Sequence, residues 1–429
     1  MGRALRHRNY RLFFAGQGIS LVGSWMTRVA TSWLVYRLTG SALLLGLVAF
    51  AGQIPTFLLS PFAGVLIDRW NRHRILVVTQ CVAMVQSGLL AAFALTGTIT
   101  VAHVVILSIA QGLINAFDMP ARQSFVVEMV ESRDDLPNAI ALNSSLVNGA
   151  RLIGPSMGGV LIAAVGEGWC FAIDAVSYVA VIASLLAMRV TVRPRTAPSG
   201  RVLAALREGA AYASSFSPIR SILLLLALIS FTGVPYVVLT PVFAAEVLGG
   251  GPHTLGLLMA SSGIGALGGA LWLASRRSVI GLGGALVVTS SLLGVGLIGY
   301  ALSQWLWLSV LVLFGVGAGM MVSMGASNTI IQTLVDEDKR GRVMGFYAMA
   351  FFGMAPFGSL AAGALAERFG APVTVLASGV ATLIGTAVFA RKLPELRRLV
   401  RPIYQRLGIL PEIAEGLHQT TAMSAPAEE

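Results

Sequence analysis

Twelve stretches, most of 20 or more consecutive residues, are almost free of charge, and their repetition decides most of what the chain can become. They run over 12–38, 43–67, 75–97, 101–121, 138–165, 169–188, 221–246, 254–275, 279–302, 304–327, 343–366 and 371–390. A helix rises about 1.5 Å per residue, so each stretch is long enough for the roughly 30 Å of a bilayer's hydrocarbon core. The runs are continuous rather than alternating, which selects helices over a barrel. Only 11% of the 429 residues are charged and 56% are hydrophobic. A soluble domain carries roughly 25% charged residues, so a soluble globular chain is excluded. A disordered one is excluded too, since that needs low hydrophobicity. The expected fold is an all-α integral membrane protein with twelve transmembrane helices.

The net charge is +11, and a pI near 10.4 would suit nucleic acid in a soluble protein. The placement of the bases gives a different reason. If Met1–Arg11 lies in the cytoplasm, one side of the membrane receives Arg69, Arg72 and Arg74, the arginines from Arg189 to Arg207, Arg276, Arg277, Lys339, Arg340, Arg342 and the run from Arg391 to Arg406. The other side receives Arg37 and Arg368. That is a strong positive-inside asymmetry, so both termini are expected in the cytoplasm and no nucleic-acid partner is expected. No cleavable leader pattern follows the first eleven residues, and the first span is read as retained. Cys81 and Cys170 fall in different runs, which excludes a disulfide framework and a zinc site. HExxH and Walker patterns are missing. An enzyme, a metal centre and a bound cofactor are therefore not expected.

The longest internal polar stretch divides the chain. The expected units are a six-span bundle at 1–189, a cytoplasmic linker at 190–217 with an amphipathic run around Val202–Tyr212, a second bundle at 218–392, and a partly disordered cytoplasmic tail at 393–429. The halves repeat. Met119–Val130 (MPARQSFVVEMV) aligns with Met324–Val335 (MGASNTIIQTLV), Gly154-Pro155 with Ala355-Pro356, and Gly166 with Gly370. Repeated halves place a binding site between them near the bilayer midplane.

These features resemble the major facilitator superfamily. Gly64–Arg74 (GVLIDRWNRHR) is similar to that superfamily's loop signature GxLxDrxGrrr, with Asn71 in place of a glycine; asparagine tolerates the left-handed turn expected there. Gly149, Gly154, Pro155, Gly158 and Gly159 resemble the glycine-proline motif of its drug and proton antiporters. Trp33–Gly46, Phe117–Gln123 (FDMPARQ) and Phe171–Ser177 (FAIDAVS) resemble the enterobactin-exporter and macrolide-efflux branch. The resemblance implies two pseudo-symmetric six-helix bundles and alternating access. It also implies a gate in which Asp68 meets nearby arginines, with Arg69, Arg72, Arg74 and Arg122 as candidates and the helix beginning near Gly341 as a positive end. The same charges would also serve as a plain topology anchor. The superfamily's RxxQG arginine is replaced by Ser108 ahead of Gln111-Gly112, so proton coupling does not carry over at that position.

Physical reasoning adds further candidates. The glycines at 149, 154, 158 and 159 have the small-xxx-small spacing that lets helices touch backbone to backbone, and Pro155 permits a bend. Arg28, Asp118, Arg151 and Asp174 lie inside spans, where each charge costs roughly 2.5–3.5 kcal/mol on insertion scales. An Asp174–Arg151 ion pair is expected, either structural or with Asp174 as a protonatable switch; Asp118 neighbours Arg122. Candidate cavity groups are Gln17, Trp25, Gln53, Asn115, Asn143, Asn148, Asn328 and Gln332, with Trp33, Tyr36 and Phe231 as packing rings. Two arginines and few acids suit an anionic or neutral amphiphile better than a polycation. The reading is a proton-coupled exporter of small amphiphiles (drug, macrolide or siderophore), acting as a monomer among lipids in the bacterial cytoplasmic membrane. A lipid flippase of the same fold and a non-transporting receptor remain as alternatives.

Overall fold

The computed structural model describes residues 3–130, 132–189, 211–276, 278–337 and 339–409, with the backbone alone at Ser60, Pro61, Gly64, Val65, Asp68, Arg69 and Arg133. Most of the expected linker with its amphipathic run, and the tail beyond 409, lie outside these residues.

Among the described residues the chain forms twelve long helices. The first half holds α1 (Arg8–Thr39), α2 (Ala42–Arg69), α3 (Arg72–Leu95), α4 (Val101–Met129), α5 (Leu136–Val165) and α6 (Glu167–Leu186). The second holds α7 (Ser217–Val247), α8 (Pro252–Ala274), α9 (Leu282–Leu302), α10 (Leu306–Leu334), α11 (Arg340–Phe369) and α12 (Ala371–Arg406). Eleven of them are long and apolar enough to cross a membrane. The remaining one, α1, has 32 residues and is diluted by Arg8, Arg11, Arg28 and Arg37. Two helices are interrupted. The α-helical turns of α7 break between Gly233 and Tyr236 at Pro235, which cannot donate a backbone hydrogen bond, and the helix ends in a π-turn at Phe243–Val247. In α11 a π-turn occupies Met349–Gly353. The last helix runs on to Arg406, past the 392 boundary read from the sequence.

Successive helices alternate in direction. The starts of α1 and α5 meet the end of α6 at what is here termed the basic end: Tyr10 donates to the carbonyl of Ala139 (2.7 Å) and Asn9 to that of Arg189 (2.9 Å). The turns at Gly40, Gly166, Gly249 and Gly370 lie at the opposite, far end. The repeat seen in sequence is a repeat in space. Gly166 and Gly370, aligned above, both cap the next helix with left-handed φ of 89° and 85°, a conformation that a Cβ disfavours. By contrast Asn71 is extended (φ −70°, ψ 110°), and its side chain accepts from the Arg74 amide as the N-cap of α3. The left-handed turn expected there does not form, because capping satisfies a helix-end N–H without it.

Two long seams join the halves, α2 against α11 and α5 against α8. Both are made of backbone. A Cβ on Gly46 would lie 2.6 Å from the Ser359 carbonyl and 3.0 Å from Cα of Gly363; one on Gly159 would lie 2.8 Å from the Pro252 carbonyl and 2.9 Å from Cα of Gly256. Only glycine permits that approach. The seams are equivalent under the repeat, which places a shared cavity between the bundles.

Candidate functional site

The far end is sealed. On α11 Glu367 accepts hydrogen bonds from the Ser41 hydroxyl (3.0 Å) and the Leu43 amide (3.1 Å), so a carboxylate of one bundle caps the first turn of α2 in the other. Beside it Tyr36 donates to Glu246 across the same boundary (2.8 Å). Deeper in the seam, Phe357 of α11 meets Phe50 and Phe57 of α2 edge-on. Neither glutamate was singled out from sequence. The available signal was that both are acids at loop ends of an acid-poor chain, Glu367 three residues before the positive-φ Gly370. Glu367→Ala should weaken the seal by about 1 kcal/mol. In a background lacking Cys81 and Cys170, maleimide should then label Ala42→Cys several-fold faster; an unchanged rate would leave the seal to the glycine contacts.

Behind the seal lie charges at mid-membrane depth. The Arg28 guanidinium stands 4.6 Å from the centroid of Trp25, and Arg151 stands 5.7 Å from the same ring. The Arg28 side chain is exposed and that of Arg151 half-buried. Trp25 is seated by Gly154, where a Cβ would strike the Val22 carbonyl at 2.8 Å. Because Pro155 has no N–H, the carbonyl of Arg151 loses its helix partner, and Gly263 of α8 lies over that oxygen.

The expected Arg151–Asp174 pair does not form. Asp174 is 1% exposed and turned towards α1 and α3, where Ser87 donates to its Oδ2 (2.7 Å) and a Cβ on Gly23 would lie 2.7 Å from its Oδ1. Arg151 lies on the Trp25 side. The hydroxyls of Ser24 and Thr27 stand beside the carboxyl, yet Oδ1 of Asp174 and Oγ of Thr27 each lack a hydrogen-bond partner. The result is a hydroxyl-lined cage for one acid. The spacings Ser24–Thr27 and Asp174–Ser177, three apart on one helix face, were its trace in the sequence.

Asp118 is also buried, and it is fully engaged. Its Oδ1 accepts from Gln80 (2.7 Å) and Thr79 (3.1 Å) and its Oδ2 pairs with Arg122 (3.4 Å). Arg122, expected as a partner for Asp68, is thus held by Asp118, while the side chains of Gly64, Asp68 and Arg69 lie outside the described residues. Arg72 is buried and pairs with Glu128 (2.9 Å), and Arg74 is exposed. The antiporter-like motif divides: Gly154 and Gly158 pack on α1, Gly159 on α8, and a Cβ on Gly149 would meet nothing within 4 Å. Gly149 therefore is not part of a close-packed face, contrary to its spacing.

The remaining polar candidates are dispersed. Gln17 is buried; Gln53 and Asn148 bond to carbonyls of their own helices, and Gln111 donates to Asn115 (3.1 Å). Asn143 is half-buried on α5. Gln332 donates to Asn328, and the two border a recess of about 570 Å³ near the basic end with Arg340. Trp33 packs on Tyr36, and the carbonyl of Phe231 abuts Gly358. Among the described residues no cluster of His, Cys, Asp and Glu could hold a metal ion.

Two six-helix halves, backbone seams and a charged midplane define a transporter of the major facilitator fold. The sequence matches the transmembrane secretion effector family over residues 3–405, and the chain belongs to that family. It is 26% identical to a staphyloferrin A transporter of Staphylococcus aureus over 88% of this chain and 95% of that one. It is 24% identical to macrolide efflux protein A of Streptococcus pyogenes, over 92% and 99%. Among solved structures, a peptide transporter superposes with a TM-score of 0.72 at 13% identity, covering 91% of this chain and 95% of that one. The last likeness speaks for the fold alone.

Proposed function

We propose that the chain is a secondary active exporter, carrying small amphiphilic compounds (a drug, macrolide or siderophore) out across the bacterial cytoplasmic membrane in exchange for protons. It works by alternating access, and a single chain suffices because both bundles and the cavity belong to it. The observation that carries this reading is a pair of backbone seams between repeated six-helix halves, held together at the far end by Glu367 on the start of α2 and Tyr36 on Glu246: the arrangement that alternating access requires of one of its two states. The relatives named for staphyloferrin A transport and macrolide efflux support it. The basic end faces the cytoplasm by the positive-inside rule.

Asp174 is the proposed proton carrier. A lone carboxylate in hydrocarbon is costly, and one that takes and gives up a proton as the bundles rock would couple the gradient to movement. Purified protein in liposomes, given an imposed pH gradient and a panel of macrolides, dyes and catecholate chelators, should accumulate at least one compound. Asp174→Asn should lose gradient-driven accumulation while keeping exchange of labelled for unlabelled compound. Accumulation by Asp174→Asn at the wild-type rate would remove Asp174 from coupling, and failure of every compound with the wild type would remove transport.

A further inference from the structure

Arg28 and Arg151 share one indole and have no acid between them. Each guanidinium stands at cation–π distance from Trp25, and such a contact is worth up to about 2 kcal/mol when desolvated. It supplies no counter-charge. The acids within the spans are already placed elsewhere. Asp174 turns into its hydroxyl cage, Asp118 holds Arg122, Gln80 and Thr79, and Glu128 holds Arg72. No ion pair or hydrogen bond reaches either guanidinium among the described residues. Two like charges are thus brought to a single ring between α1 and α5.

Building this arrangement costs charge repulsion, and a bound anion relieves it. We infer that Trp25, Arg28 and Arg151 form the recognition site for an organic anion with an aromatic or apolar body. Its acidic group bridges the two guanidiniums and its ring lies against the indole. Guanidinium forks suit carboxylate and similar planar oxyanions. A cationic amphiphile of the same shape is repelled. The site spans the seam side of α1 and α5, and the carbonyl of Arg151 is already covered by Gly263 of α8, so an anion held there sits where movement of the second bundle is felt. This inference rests on the exporter reading for its role as a substrate site, while binding itself does not depend on it.

The test uses two dyes of one xanthene skeleton and opposite charge, fluorescein (anionic) and rhodamine 123 (cationic). Full-length protein in nanodiscs is titrated by fluorescence anisotropy. Fluorescein should bind at least about tenfold more tightly than rhodamine 123, a difference of about 1.4 kcal/mol. Arg28→Gln and Arg151→Gln should each weaken fluorescein about tenfold or more and leave rhodamine 123 unchanged or tighter. Arg28→Lys and Arg151→Lys, which keep the charge but lose the fork, should weaken fluorescein less than the glutamine variants do. Equal or tighter binding of rhodamine 123 by the wild type would overturn the inference. So would glutamine variants that keep fluorescein within about twofold. Charge-dependent binding without flux in liposomes would sink the exporter reading and leave the anion site standing; flux without charge-dependent binding would do the reverse.

Discussion

A leucine in place of Gly159 is expected to abolish net transport while the protein still inserts and purifies as a monodisperse chain. In the closed far end a mere Cβ there lies 2.8 Å from the Pro252 carbonyl and 2.9 Å from Cα of Gly256. Both obstacles are backbone, so no side-chain rotation makes room. Extra methylenes forced into a packed site cost about 1–3 kcal/mol even where neighbours can shift. Against two helices in direct contact the upper end applies, and about 3 kcal/mol moves a two-state population more than a hundredfold. The penalty falls only on the arrangement with α5 against α8, so the protein should accumulate with the far end open. Cysteine labelling at Ala42 should then rise together with the loss of flux. Gly149→Ala, in the same motif, is the control: its Cβ meets open space and transport should remain near wild type. Equal loss in both variants would mean the motif acts through something other than this contact.

Asp118→Ala should give the largest loss of stability of any single truncation in the first bundle. Its carboxylate, 5% exposed, ties Thr79 and Gln80 of α3 to Arg122 of α4. Removing it leaves a half-buried guanidinium and the Gln80 amide unsatisfied, while the Thr79 hydroxyl keeps the Leu76 carbonyl, and breaking a buried pair in this way costs about 3–5 kcal/mol. The apparent thermal midpoint in detergent should fall accordingly and expression with it. Asp118→Asn keeps an oxygen for Thr79 and Gln80 and should lose less than half as much. Thr79→Val removes one hydrogen bond, about 1 kcal/mol. If Asp118→Ala melts like wild type, the network has no share in holding α3 to α4.

The helices, their alternating direction and the repeat were legible because the bilayer imposes length and hydropathy on every span, and because the bases sort by side. Gly166 and Gly370 could be matched across the halves since a left-handed turn leaves few residue choices. The arrangement of polar groups was less legible. Arg151 and Asp174 sit on consecutive helices at workable heights, yet their pairing depends on how each helix is rotated about its own axis, and spacing along one chain does not encode that. Gly149 illustrates the same limit: it has the right interval for a packed face and points away from one. Glu367 and Glu246 escaped notice because they act across the boundary between halves, on a helix terminus and a phenol, partners with no sequence pattern of their own. The break in α7 was marked only by Pro235 within its apolar run, and the π-turn at Met349–Gly353 left no mark in a run that reads as uninterrupted.

The length of α12 has one more consequence. Its 36 residues make about 54 Å of helix, against roughly 30 Å of hydrocarbon. Beyond the apolar part Arg391, Lys392, Arg397, Arg398, Arg401 and Arg406 are all exposed. Basic side chains at such a depth attract acidic head groups by about 1 kcal/mol apiece. The second bundle is thereby moored to the leaflet it emerges from, as Arg3, Arg6, Arg8, Arg11 and Arg74 moor the first, so phosphatidylglycerol or cardiolipin content should change how readily the two halves swing.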